Sequence, residues 1–428
     1  MFLDVYVMIG SMLLLILLGL PLFLSIGCSA LITIYLFLPG LPLELIPQNL
    51  IVGVDSFSLL AIPFFFLAGD IMNSGGQTTR IIRFAEGVVG HIPGGLAHVN
   101  VVTNVIYAGI SGAAVADAAA IGSIMIPAMK KAGYSARFTA AINAAAATIG
   151  PIFPPSIPMI IYGVIANVSV GKLFLAGVIP GLAMGLYFMI TSFFLAVRRG
   201  YPKTEKKRII DVLKSTFEVF WAFMSPAVIV GGILLGVFTP TEAGAVAVLY
   251  SVIIGGLVYR ELTLKDLSGI FRRTLVNSAT VLILVGTSQV FGWVVAQSNI
   301  GVEIGILITA VSDNPMVILL ELNILFLIVG MIMDPLAALV IFVPIFLPIT
   351  QSIGIDPVHF GLVVVLNLMI GLSTPPVGYL LYMTAALAEI QVEEVIREIL
   401  PFIFVMIVVL AMCTYWPRMV LFLPGLLQ

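Results

Sequence analysis

Charge is what this sequence has least of. Lys and Arg number 19 and Asp and Glu 21 among 428 residues, 9% in all, where a soluble domain carries about a quarter. So few charges cannot cover the water-facing surface of a soluble enzyme, and no polar stretch is long enough for a separate catalytic domain. No enzyme is expected. A net charge of −2 offers no basic face to nucleic acid. The two cysteines, Cys28 and Cys413, lie in apolar runs and make no disulfide framework. His91, His98 and His359 lack metal-ligand spacing. The N-terminus has neither the basic region nor the cleavage site of a signal peptide, so its apolar run is expected to stay in the protein.

What is present is hydrophobicity, at 61% of residues, which excludes a disordered chain. Six long runs carry no charge: Val5 to Leu43, Gly87 to Ala116, Phe138 to Gly171, Leu173 to Val197, Thr274 to Val302 and Pro357 to Ala388. A spanning helix needs about 20 apolar residues, whereas a β-barrel would alternate in segments of about ten. The fold class is therefore an all-α polytopic membrane protein. Crossings are expected near 5–20, 22–38, 56–75, 137–168 (interrupted), 173–197, 217–238, 241–258, 275–297, 356–388 (interrupted) and 399–423. The stretch from Arg198 to Lys214 holds seven cations and Arg260 to Arg273 four more. Two crossings separate them, so both lie on one side, the cytoplasm by the positive-inside rule. Lys130, Lys131 and Arg137 then also lie inside, and both termini are expected on the far side.

The chain reads as two halves offset by 217 residues. This spacing pairs Gly19 with Gly236, Gly69 with Gly286, Asp117 with Asp334 and Pro127 with Pro344. After a four-residue insertion it pairs Gly133 with Gly354 and Pro154-Pro155 with Pro375-Pro376. Five crossings per half, an odd number, turn the second copy over in the membrane. Inverted repeats of this kind are a signature of secondary transporters, with sites where discontinuous helices meet.

Each half contains two breaks. Gly109-Ile-Ser-Gly-Ala-Ala-Val-Ala-Asp117 and Gly330-Met-Ile-Met-Asp334-Pro335 are read as the tips of re-entrant hairpins, about 95–130 and 317–349. Ile149-Gly150-Pro151-Ile-Phe-Pro154-Pro155-Ser156-Ile-Pro158 and Ile370-Gly371-Leu-Ser373-Thr374-Pro375-Pro376 interrupt helices at about 137–168 and 356–388, because proline removes a donor and clashes with the preceding turn. Unwound backbone at membrane depth survives only where protein or a polar cavity covers it. Its carbonyls suit a hard cation, and the helix N-terminus beyond suits an anion. Asp117 and Asp334 are costly at such depth and call for a partner or water. Ser111, Asn104, Asn143, Asn367, Ser373 and Thr374 add further polar groups. Two amphipathic stretches, Thr78 to Val89 and Glu389 to Leu400, suit helices along the membrane surface.

The runs beginning at Ser111 and Ile149, together with Asp356-Pro-Val-His-Phe-Gly and Gly371-Leu-Ser-Thr-Pro-Pro-Val-Gly, resemble the large membrane subunit of tripartite ATP-independent periplasmic (TRAP) transporters over essentially the whole chain. This chain departs from the family's small hydroxyl residue at the first tip, having Ala113 and Ala114. The resemblance implies a scaffold-plus-elevator fold in a bacterial inner membrane. It implies a small four-helix membrane subunit and a soluble periplasmic binding protein that delivers an organic anion, sialic acid or a C4-dicarboxylate, with the former slightly favoured. It also implies Na⁺ coupling. One Na⁺ is expected at Ser111, Gly150 and Pro154 and a second at Gly330, Gly371 and Thr374. Asp117, Asp334, Asn143, Asn367 and Ser156 are expected to line the substrate site.

The expected organisation is scaffold helices and an arm over 1–92, transport elements over 93–172, and connecting and scaffold helices over 173–313 with a cytoplasmic loop at 198–216. Transport elements follow over 314–390 and a scaffold helix over 391–428. Two rivals remain at this point. A stand-alone Na⁺-coupled carboxylate symporter could share the architecture. An intramembrane aspartyl protease would use two aspartates, but Gly-Met-Ile-Met-Asp334 lacks the Gly-x-Gly-Asp pattern such proteases resemble.

Overall fold

The structure is a computed structural model that describes residues 3–38, 42, 44–204, 207, 209–298, 312 and 314–427. Every regular element among these is helical. The first half runs α1 (Leu3–Leu17), α2 (Leu22–Phe37), α3 (Leu45–Val54), α4 (Ala61–Ser74), α5 (Gln77–Val89), α6 (Gly95–Ser111), α7 (Ala114–Lys131), α8 (Ala136–Ala147), α9 (Ile157–Ile165) and α10 (Val170–Arg199). The second runs α11 (Ile209–Leu234), α12 (Pro240–Ile253), α13 (Leu264–Gln297), α14 (Pro315–Ile332), α15 (Pro335–Ser352), α16 (Pro357–Leu372), α17 (Tyr379–Ala388), α18 (Val392–Tyr415) and α19 (Pro417–Leu421). Eight helical stretches among the described residues are long and apolar enough to cross a membrane.

The repeat is visible in matching helix starts, but its register differs from the expected one. α7 starts at 114 and α15 at 335, and α8 starts at 136 and α16 at 357, so both offsets are 221. This spacing pairs Gly109 with Gly330, Pro127 with Pro348 and Gly150 with Gly371. The four-residue insertion therefore precedes the hairpins instead of following them. Asp117 and Asp334 are consequently not equivalent: Asp334 occupies the position of Ala113. A shift of four residues is about one helical turn, which apolar periodicity alone cannot detect. The counterpart of α5 falls mostly in 299–311, outside the described residues.

Local signals explain the boundaries. Asn314-Pro315, Asp334-Pro335 and Asp356-Pro357 each place a capping side chain before proline at the first helical position, and each cap accepts a backbone N–H. Proline loses nothing there, since that N–H has no intrahelical partner. A capping box of Thr263 and Asp266 starts α13 earlier than expected, so the cationic stretch 264–273 is helix and only 260–263 is loop.

Packing sorts the helices into two groups. α1–α4 and α11–α13 pack mainly among themselves, whereas α6–α10 and α14–α18 form the other group, and α13 on α15 and α4 on α6 join the two. α10 and α18 pack on α6, α8 and α16. Glu398 of α18, almost fully buried, meets Arg199 of α10 and Arg137 of α8 and ties these three ends together. The halves interlock within the second group. α17 packs on α7 and α8, and α15 packs on α9. α5 lies between the groups, against α6 and α11.

Candidate functional site

At both expected hairpin positions two consecutive helices are joined by a tight connection: α6–α7 through Gly112-Ala113, and α14–α15 through Met333-Asp334. Both interrupted helices are broken where proline was expected to break them, between α8 and α9 and between α16 and α17. The Pro154-Pro155 and Pro375-Pro376 bonds are both cis.

The first tip is tied to the first break. Gly112 has φ +64°, left-handed, and a Cβ there would lie 2.5 Å from the Pro155 carbonyl oxygen, so glycine is required for both reasons. The Ile157 N–H donates to the Gly112 carbonyl at 3.4 Å. Asp117, fully buried, accepts a hydrogen bond from the Ser111 hydroxyl on one oxygen. Its other oxygen has no hydrogen-bond partner among the described residues and sits against the α-carbon of Gly150. Ser111 and Gly150, two of the three residues expected around the first cation, thus meet at Asp117, which was expected with the substrate. A buried carboxylate oxygen without a partner costs free energy, and a hard cation satisfies it.

The second tip is tied to the second break by backbone alone. A Cβ on Gly330 would lie 3.1 Å from the Leu368 α-carbon, and one on Gly371 would collide with the Gly330 backbone. The Thr374 hydroxyl donates to the Ile370 carbonyl at 2.6 Å, leaving its oxygen lone pairs available, and the neighbouring Ser373 hydroxyl is buried without a partner among the described residues. These oxygens also fit a hard cation.

Between the two tips lies a cavity of about 710 Å³. Its walls include the starts of four helices, at Ala114, Ile157, Pro335 and Tyr379, with Asn277 and Thr280 of α13 opposite. Helix N-termini carry partial positive charge, which suits an anion, although the first N–H groups of α9 and α15 are already bonded within the protein. Asp334 lines the cavity, but one of its oxygens accepts from Leu336 N at 2.9 Å and Ala337 N at 3.3 Å. It therefore caps α15 as well as facing the cavity. No Lys, Arg or His lines the space among the described residues.

The remaining expected substrate residues sit elsewhere. Asn143 accepts from Asn100 at 3.2 Å and donates to the Ala118 carbonyl at 2.9 Å. Asn367 donates to Asn323 at 2.7 Å. Each amide pair ties the first arm of a hairpin to the broken helix that follows it. Ser156 caps α9, accepting from Met159 N at 3.2 Å. Asp117, Asn143, Asn367 and Ser156 do not line the cavity. Asn277 and Thr280 escaped the sequence reading, although a polar pair at i and i+3 in a charge-free run was the available signal.

A family model described as "Tripartite ATP-independent periplasmic transporter, DctM component" matches residues 9–419. The uncharacterized protein YgiK of Salmonella typhimurium is 43% identical over 99% of this chain and 98% of its own length. The sialic acid TRAP transporter large permease protein SiaM of Vibrio cholerae is 42% identical over 89% of each chain. The C4-dicarboxylate TRAP transporter large permease protein DctM of Pseudomonas aeruginosa is 38% identical over 94% of each. Among solved structures, the Alcanivorax borkumensis YdaH transporter has a similar fold, with a TM-score of 0.65 over 88% of each chain at 15% identity. A helical fold with broken elements around one cavity, a family model spanning almost the full length and relatives near 40% identity converge: the chain belongs to the DctM-component family of tripartite ATP-independent periplasmic transporters, a family of multi-pass membrane permeases.

Proposed function

We propose that this chain is the large permease subunit of a Na⁺-coupled TRAP transporter that imports an organic acid across a bacterial inner membrane. The observation that carries this reading is the cavity itself, where four helix starts converge between two hairpin tips and two broken helices. A carboxylate seated there meets backbone N–H groups and helix dipoles, which replace part of its lost hydration. Sialic acid is favoured over C4-dicarboxylates. The identity to a sialic acid permease is somewhat higher, and a dianion would face Asp334 with no cation in the lining.

Ser111, Asp117 and the Gly150–Pro154 backbone would hold one Na⁺, and Gly330, Gly371 and Thr374 a second. When bound, Na⁺ supplies positive charge that offsets the substrate's. This chain's residues orient the tips: Asp117 holds Ser111, and the Gly330–Gly371 contact holds the second hairpin against its broken helix. A soluble periplasmic binding protein delivers the acid, and a small four-helix membrane subunit braces the α1–α4 and α11–α13 group. The hairpins enter the membrane without crossing it, both termini lie in the periplasm, and the α6–α10 and α14–α18 group slides as an elevator.

The test is uptake of N-acetylneuraminate into proteoliposomes holding this chain with its small subunit and binding protein. An inward Na⁺ gradient should drive accumulation. Uptake unchanged after Na⁺ is replaced by K⁺ would sink the coupling. Full uptake without the binding protein would favour the stand-alone symporter.

A further inference from the structure

The cavity has two kinds of wall. The tips and helix starts belong to one packing group, whereas α13 belongs mainly to the other, packed on α2, α3 and α4, and touches the first group along α15. From that second wall Asn277 and Thr280 face the cavity. Asn277 lies 13 residues along α13 from Leu264, about 20 Å at 1.5 Å per residue, which places it at hydrocarbon depth. An amide turned toward lipid there would leave donors and an acceptor unsatisfied. Both Asn277 and Thr280 are nonetheless exposed, and what they are exposed to is the cavity. The Thr280 hydroxyl donates to the Val276 carbonyl at 2.9 Å, leaving its oxygen free to accept. The Asn277 amide has no hydrogen-bond partner among the described residues. This wall therefore offers two donors and at least two acceptors and carries no charge.

We propose that Asn277 and Thr280 form a neutral polar subsite for the hydroxyl or N-acyl groups of a polyhydroxylated acid, and that the subsite acts from one face of the membrane only. The inference rests on the transport reading above. The carboxylate goes to the helix starts on the moving group, and the uncharged part reaches the stationary helix. Once the moving group slides, the acid leaves Asn277 and Thr280 behind. These two side chains then tighten binding in one state and contribute nothing in the other. A ligand shifts an equilibrium only by its differential affinity for the two states, so the subsite also biases which way the loaded carrier faces.

Two measurements test this. The first is KM for N-acetylneuraminate entry and for exit from preloaded proteoliposomes, with Asn277→Ala and Thr280→Val. A neutral hydrogen bond sets the scale, so KM should rise about three- to tenfold at one face. KM at the other face should stay unchanged, and Thr280→Ser should restore the wild-type value. An equal rise at both faces, or none at either, would overturn the proposal. Absent Na⁺-driven uptake by the unmodified protein would instead remove the transport reading, and that control separates the two failures. The second measurement needs no transport. In a chain carrying Cys28→Ala, Cys413→Ala and Asn277→Cys, an impermeant maleimide should label from one side, and N-acetylneuraminate should slow the labelling. Labelling that N-acetylneuraminate does not slow, or no labelling from either side, would overturn the subsite.

Discussion

The two hairpins occupy equivalent places in the repeat and are held by different chemistry. The first turns at a left-handed glycine, Gly112, and one turn into its second arm buries a carboxylate, Asp117, on the Ser111 hydroxyl. The second turns at Asp334-Pro335, where the carboxylate sits at the helix start, exposed to the cavity and bonded to two backbone N–H groups. The glycines differ as well. Gly330 meets Gly371 backbone to backbone, whereas its repeat partner Gly109 faces the ring of Pro226 in α11, 2.7 Å from the position of an added Cβ. One ancestral geometry thus supports an internal polar knot in one half and a close backbone contact in the other. The difference shows that repeat symmetry predicts elements but not the bonds within them.

The sharpest way to break this comparison is to remove the charge from each tip. Asp117→Asn keeps the shape but loses the charge-assisted hydrogen bond and the hard oxygen donor. Such bonds are worth up to about 3 kcal/mol, so initial Na⁺-driven uptake should fall about 100-fold. Uptake within twofold of wild type would remove the distinction between the tips.

Glycine comes next. Gly371→Ala drives a methyl group into the Gly330 backbone, which cannot rotate away as a side chain can. It should lower stability by about 1–3 kcal/mol, read as thermal unfolding in detergent. Gly109→Ala should cost less, because it meets only a proline ring; the reverse order would argue against the backbone contact.

The smallest effect separates cap from charge at the second tip. Asp334→Ala should cost about 1 kcal/mol through loss of the cap, while Asp334→Asn should be nearly neutral for stability, since asparagine caps as well as aspartate. Equal destabilisation by both would show that the charge, not the cap, holds the tip.

Much of the fold was legible because membrane burial imposes strong rules on sequence. The prolines at 151–155 and 375–376 could not be helix, and they are not, whereas Pro158 sits in the first turn of α9, where proline is tolerated. Around 109–117 the chain does turn between two helices, at Gly112-Ala113, and Ser111 and Asp117 come together against Gly150. The register of the second hairpin was not legible. Asp334 matched Asp117 by residue type at 217, and only the helix starts exposed the true spacing of 221. Nor could the sequence tell a polar side chain that ties two helices, such as Asn143 or Asn367, from one that faces a cavity, such as Asn277.

By itself, then, the sequence determined the solvent, the helical class, the repeat and the places where helices break. Each of these follows from local costs: unsatisfied backbone in lipid, proline in a helix, charge at depth. Tertiary structure alone decided which broken ends converge, which helices share a packing group and which polar atoms are left facing the cavity. Those depend on contacts between residues far apart in the chain, such as α15 on α9 and α17 on α7, and no local cost encodes them.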